Sequence, residues 1–309
     1  LLEAFFKALG TKKERIDGSI VELIIRKVSS VKNTFLKYRL VQWMCNYLIE
    51  FTQFLNVEKI ISPRDDIYFR ILAATEILRV RKDKETLEFI RRHIGDVIYI
   101  VNPGDRERAV RAVLEAIREI SNELLINSSY HTILEIIKIV HKIGDSHRIY
   151  NVCNYVLRTL KSVSFNKEQI SEILKKLSEK IEKIDTKLEY VLCNVLVLGA
   201  RCEQGIKEGI EEISDKILQN IYKIEDLKDK GITYAKALKV FATMDGVLVR
   251  KLLYVFQNDV ELRERESEKF LLIGHFLDSV KREAMEAVNK EFLDFILNII
   301  NNLNDNLYR

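Results

Sequence analysis

Residues 104–120 read Gly104-Asp105-Arg106-Glu107-Arg108-Ala109-Val110-Arg111-Ala112-Val113-Leu114-Glu115-Ala116-Ile117-Arg118-Glu119-Ile120. Apolar side chains fall at 109, 110, 113, 114, 117 and 120, with Arg111, Glu115, Arg118 and Glu119 between them. On an α-helix, positions i, i+3, i+4 and i+7 share one face. The stretch therefore predicts a helix with a single buried stripe. The same pattern recurs over 133–143, 149–160, 170–184, 206–224, 234–243 and 288–300. No segment alternates as a strand does. Val97-Ile98-Tyr99-Ile100-Val101 follows helical pattern directly and reads as a helix end.

Composition points the same way. The 309 residues include 2 prolines and 11 glycines, against usual shares of about 5% and 7%. So few turn residues exclude sandwiches and barrels. At 47% apolar and 31% charged, the chain can bury a core and is not a disordered polyelectrolyte. No apolar run reaches the roughly 18 residues of a membrane span. Leu1-Leu2-Glu3-Ala4-Phe5-Phe6 lacks the basic flank and length of a signal peptide, and position 1 is not Met, so residues are expected before it. Cys45, Cys153, Cys193 and Cys202 form no CxxC, and all but Cys202 lie in apolar helical pattern. They read as reduced thiols of a cytoplasmic protein. Frequent Lys, Glu and Ile lean towards a thermophile.

The breaks between helices repeat. Gly104-Asp105 and Gly144-Asp145 are the same dipeptide, with Asp65 before them and Asp185 after, each at a spacing of 40. Asp suits an N-cap and Gly a left-handed C-cap, so the spacing predicts four helix junctions. The register continues inside the helices. Phe69, Ala109, Ile149 and Glu189 share one column, Leu72, Ala112, Val152 and Leu192 the next, and Ala73, Val113, Cys153 and Cys193 a third. Cys153-Asn154 and Cys193-Asn194 recur in step, and Cys45-Asn46 echoes them in a shorter N-terminal repeat. A two-helix unit with a period near 40 predicts an all-α fold, an α-solenoid superhelix of about seven antiparallel helix pairs. One domain over 1–309 is expected: irregular N-terminal repeats at 11–62, regular repeats at 63–282, and a capping helix with a fraying tail at 283–309.

Asp105, Val110-Arg111, Ala112, Leu114 and Ala116 resemble the second helix of a HEAT-like, armadillo-type repeat. Asp65, Phe69-Arg70, Leu72, Ala73 and Leu78 resemble it too. Asp145 and Asp185 keep the turn but replace the Arg, with Tyr150-Asn151 and Tyr190-Val191, and the usual first-helix Pro is absent. The resemblance covers roughly 60–280 at the level of architecture. It implies a groove that binds a protein or peptide. In armadillo-like repeats a column of asparagines holds an extended peptide, because an amide donates and accepts at once.

Candidate sites follow. Asn151, Asn154, Arg158, Arg111 and Arg70 form the expected partner-binding set, while Asn194, in a helix apolar almost all round, reads as bonded to a neighbouring repeat. The Asp ladder reads as capping and pairing, for example with Arg70 and Arg111. An alternative is nucleic acid on the basic region 64–111, through Arg79, Arg81, Lys82, Lys84, Arg91, Arg92, Arg106 and Arg108. Residues 1–200 carry 33 basic and 26 acidic side chains, while 201–309 carry 17 and 20. The overall net charge of +4 is small for strong non-specific DNA binding. His141, His147 and Asp145 flank one turn without a metal-ligand spacing. Trp43 lies at helical spacing with Leu40 and Met44 and reads as core. No GxGxxG, GxxxxGK[ST] or GxSxG occurs. The chain is therefore expected to be a non-catalytic scaffold without cofactor or metal, with a helical-repeat DNA-modifying enzyme as the third reading.

Overall fold

The computed structural model describes residues 2–11, 17–48, 53–120, 123–244 and 246–307. Parts of the expected N-terminal segment (12–16 and 49–52) and the last two residues of the expected tail lie outside the described residues. Sixteen α-helices and no strand occur among those described. Internal contacts divide the chain into two compact units, Leu1–Lys180 and Ile181–Arg309.

The N-terminal unit contains α1 (Leu2–Thr11), α2 (Gly18–Ser29), α3 (Thr34–Tyr47), α4 (Val57–Ile60) and α5 (Ile67–Arg81). It continues with α6 (Lys84–His93), α7 (Pro103–Glu119), α8 (Ile126–Ile139), α9 (Ser146–Ser162) and α10 (Lys167–Ile181). Odd helices pack on odd: α1 on α3, α3 on α5, α5 on α7 and α7 on α9. Even helices pack likewise from α2 to α4, α6 and α8. Two parallel layers result, one helix of each pair in each layer. Helix α7 shows why. Asn102 caps it by accepting the Gly104 amide at 2.8 Å, and Pro103 stands in the first turn, where no amide is needed. Its stripe 109, 110, 113, 114, 117 and 120 is buried throughout. Ala73, Val113 and Cys153 are at most 3% exposed, so the 40-residue column is a buried column. Ile94–Tyr99 is a 3-10 turn that ends α6, as a helix end was expected there.

Several junctions differ from the expectation. Only Asp145 caps its helix, accepting the Arg148 amide at 3.0 Å. Asp66, not Asp65, caps α5, because Asp65 is turned inward to hold the buried Lys37 at 2.8 Å. Asp105 lies inside the first turn of α7 and pairs with Arg108 at 3.2 Å, because Asn102-Pro103 starts that helix earlier. Thr186 occupies the cap of α11, Lys187–Glu203, and Asp185 stands before it. Gly104 and Gly144 are not left-handed. Gly144 instead allows close approach: a Cβ there would lie 2.8 Å from Arg148 Cδ and 3.2 Å from the Pro103 ring.

The C-terminal unit holds α11, α12 (Ile210–Asn220), α13 (Leu227–Ala242), α14 (Gly246–Glu261), α15 (Glu266–Glu283) and α16 (Lys290–Leu307). The expected fraying tail is helical through Leu307, because the apolar pattern of α16 runs on past residue 300. Helix α13 is the hub, packing on α11, α14 and most extensively α15. Gly231 makes that last contact possible: a Cβ would come within 2.7 Å of His275 Cβ and 2.8 Å of the Phe276 amide nitrogen. Beside it Tyr234, Phe256 and Phe276 form an aromatic cluster with centroids 4.3–6.2 Å apart. Asp259 is buried under three donors: Lys230 Nζ at 3.1 Å, the Tyr234 hydroxyl at 3.1 Å and Arg263 Nη2 at 2.6 Å. Removing one partner of such a buried pair costs about 3–5 kcal/mol, since the other charge is left bare. Burial pushes the Lys230 ammonium down and the Tyr234 phenol up from their ordinary pKa values.

Two predictions follow from this packing. Gly231→Ala should lower the urea-unfolding free energy by about 1–3 kcal/mol through overpacking against α15; an unchanged midpoint would contradict the close approach. The second concerns Tyr130 of α8, whose hydroxyl donates to Glu172 of α10. Burial, then the carboxylate, pushes its pKa up to about 12. The unfolded chain loses this proton near the ordinary value of 10.0, so the stabilising contribution is whole below that pH and disappears as pH rises towards 12. Tyr130→Phe should therefore lose less stability than the parent between these values, read by urea midpoints at each pH.

Candidate functional site

The outward faces of α5, α7 and α9 carry a polar network that crosses from helix to helix. Arg79 of α5 reaches Glu119 of α7 at 3.1 Å and Glu115 at 3.9 Å. Asn151 of α9 donates to Glu107 of α7 at 3.0 Å, and Arg148 approaches the same carboxylate at 3.8 Å. The Arg111 guanidinium lies 5.8 Å from the centre of the Tyr155 ring, and its Nη1 is 3.5 Å from the Tyr155 hydroxyl. That hydrogen bond raises the Arg111 pKa from its ordinary value. Arg111 also lies 3.5 Å from Glu115.

The five expected partner-binding residues divide. Arg111 and Arg158 are exposed, and Asn151 and Asn154 half-buried, all on α7 and α9. The side chains of Asn154 and Arg158 make no hydrogen bond among the described residues. Arg70 is not with them. It is buried, donating to the Pro63 carbonyl at 3.0 Å and pairing with Asp96 at 2.8 Å. Its charge ties the α4–α5 loop to the turn after α6, where the His93 ring also lies 3.3 Å from the Asp96 carboxylate. Neither Arg70 nor Arg111 pairs with the Asp ladder. Asn194 also differs from its expected role. It is buried and bonds the Tyr190 carbonyl of its own helix at 2.9 Å rather than a neighbouring repeat. Tyr155 was missed from sequence, although it stands one turn beyond Asn151 on the same face.

The eight basic residues of the nucleic-acid alternative do not form one cationic face. Arg79 is paired as above. Arg81 is held by the Leu55 carbonyl at 2.9 Å and by Asp83. Arg91 pairs with Glu88, and Arg92 with Glu58 of α4 at 2.6 Å. Arg106 donates to the Ile100 and Lys142 carbonyls at 2.6 and 3.0 Å. Arg108 is the partner of Asp105. Lys82 and Lys84 are exposed, without such partners among the described residues. Arg79 pairs with Glu119 in the odd layer and Arg92 with Glu58 in the even one.

Other candidates resolve into structure. Trp43 is half-buried, with the Arg39 guanidinium 5.3 Å from its ring and Phe6 of α1 beside it. Asp145 is engaged with its helix and with Arg148, and His147 is exposed. No metal-ligating group of three occurs among the described residues. No helix there is long and apolar enough to cross a membrane.

No family model matches the chain, and no curated protein matches it. Ten solved chains do. One is a circular tandem repeat protein with novel repeat topology and enhanced subunit contact surfaces. It is 12% identical, covers 90% of this chain and 73% of its own, and superposes with a TM-score of 0.40. A likeness this distant carries no inference about function.

The thiols give a simple check on chemistry. Cys45, Cys153 and Cys193 are buried and Cys202 is half-buried. Burial pushes the Cys45 and Cys202 thiols above the ordinary range, the reverse of a catalytic cysteine. Native protein should therefore react slowly with a disulfide reagent at one site, Cys202, and Cys202→Ser should remove that reaction. A fast reaction at any other cysteine would contradict the packing.

Proposed function

We propose that the chain is a non-catalytic interaction scaffold, an α-solenoid of about seven helix pairs, which binds a protein or peptide partner. The observation that carries this reading is the surface shared by α7 and α9, where Arg111, Asn154, Tyr155 and Arg158 are presented on neighbouring stacked helices. Among the described residues the side chains of Asn154 and Arg158 make no hydrogen bond, which leaves their donors and acceptor for a ligand. An asparagine amide matches a peptide unit, which also donates once and accepts once. The Tyr155 ring with Arg111 beside it offers a flat, half-polar seat of the kind that dominates protein interfaces. Asn151 and Glu107 fix α9 against α7 and thereby the spacing of these groups. The reduced, mostly buried thiols suit a cytoplasmic setting. Nucleic acid is the weaker reading, since six of its eight candidate cations are already held by carboxylates or carbonyls.

The test is a triple variant, Arg111→Ala, Asn154→Ala and Arg158→Ala. Partners recovered with the parent protein from nuclease-treated lysate should be lost, while the thermal midpoint stays within a degree or two, the scale expected of surface changes. Retention of every partner by the triple variant would overturn the reading. So would recovery that depends on intact nucleic acid.

A further inference from the structure

The charges of α7 and α9 do not balance. Helix α7 carries four acidic residues, Asp105, Glu107, Glu115 and Glu119, and four arginines. Helix α9 carries Arg148, Arg158 and Lys161 and no acidic residue at all. Every carboxylate of α7 is engaged. Asp105 pairs with Arg108 at 3.2 Å, and Glu107 holds Asn151 at 3.0 Å and Arg148 at 3.8 Å. Glu115 pairs with Arg111 at 3.5 Å, and Glu119 with Arg79 of α5 at 3.1 Å. Arg106 is turned to the Ile100 and Lys142 carbonyls. Arg118 of α7 and Arg158 of α9 are left exposed, with no ion pair or hydrogen bond of their side chains among the described residues. They stand 40 positions apart, the same repeat register as Val113 and Cys153.

Packed helices stand about 8–10 Å apart, so two arginines at equivalent repeat positions are separated by roughly one interhelical distance. A polyproline-II chain has three residues per turn and rises about 3.1 Å per residue, which puts residues i and i+3 on one side about 9 Å apart. The two spacings match. A guanidinium takes a carboxylate through two parallel hydrogen bonds, and α9 offers no carboxylate of its own to compete. Asn154 stands one turn before Arg158 on the same stripe, where its amide can take a peptide unit between the two charges. A nucleic-acid strand fits less well. It needs a run of cations for successive phosphates, and the next arginine along the layer, Arg79, is already taken up by Glu76 and Glu119. We propose that the partner of this surface is an acidic, extended segment with Asp or Glu at positions i and i+3, one carboxylate on Arg118 and the other on Arg158. This inference rests on the reading of the α7 and α9 surface as a peptide seat, and it adds the chemistry of the peptide.

The experiment uses the intact chain and short, labelled Ala- and Pro-rich peptides, with binding read by fluorescence anisotropy. One peptide carries Glu-x-x-Glu, a second Gln-x-x-Gln, and a third two adjacent glutamates. The Glu-x-x-Glu peptide should bind about tenfold tighter than the Gln peptide, the sum of two exposed ion pairs worth about threefold each. It should also bind several-fold tighter than the adjacent pair. Arg118→Gln and Arg158→Gln should each remove about threefold, and the two together the whole preference. The thermal midpoint should not move, since both side chains are exposed. The proposal is overturned if the Glu and Gln peptides bind alike, if no peptide binds, if adjacent glutamates bind as tightly, or if the double variant keeps the preference. The comparison among peptides on the parent chain carries the test without any variant. Displacement of the peptide by single-stranded DNA at a lower concentration than by unlabelled peptide would also overturn it, naming nucleic acid as the occupant. Failure here is distinguishable from failure of the scaffold reading. Lysate partners lost on the Arg111, Asn154 and Arg158 variant, with no preference for the Glu-x-x-Glu peptide, would leave the scaffold standing and overturn only the acidic partner.

Discussion

Each helix of the N-terminal unit has an apolar stripe that its own pair cannot cover, and the next repeat must cover it. Ala73, Val113 and Cys153 stand at this contact in α5, α7 and α9, and all three are small enough to let the axes approach. Apolar burial is worth roughly 25 cal/mol per Å², so a repeated stripe sets both the stacking direction and the register. A polar group in that column would be buried without a partner. The odd layer and the even layer follow from the same need, applied to the two helices of each pair.

Charge then decides what the stacked faces can do. Along α5, α7 and α9 the arginines and glutamates bridge between helices, so much of the basic composition is used inside the fold. Surface pairs of this kind contribute little stability, typically below about 1 kcal/mol each. Their larger effect is to neutralise cations that would otherwise attract phosphate. In the proposed reading, a partner meets groups that this pairing leaves over on α7 and α9, namely Asn154, Arg158 and the Arg111–Tyr155 contact.

The C-terminal unit contrasts two buried cations. Lys230 lies under α14 with Asp259, Tyr234 and the Tyr222 carbonyl around it, and its charge is answered within the fold. Arg201 bonds the Glu208 carbonyl, with the Glu208 and Glu212 carboxylates near enough to oppose the effect of burial. Both are desolvated, and burial lowers the pKa of each. The difference is the direct ion pair, which Lys230 makes with Asp259 and Arg201 does not make among the described residues.

The sequence alone determined that the chain is all-helical and that a 40-residue unit recurs, because helix periodicity and small-residue columns are local properties of neighbouring residues. It also placed Arg111, Asn151, Asn154 and Arg158 on adjacent helices through the repeat register. It misassigned Arg70, which has the same repeat position as Val110 but is turned inward to Asp96, a residue 26 positions away. It did not separate Asp65 from Asp66, since either can cap and only the buried Lys37 selects between them. That Arg201 bonds the Glu208 carbonyl was invisible for the same reason. Whether a charge has a partner depends on which side chains the fold brings within a few ångströms, and residues far apart in the chain decide that.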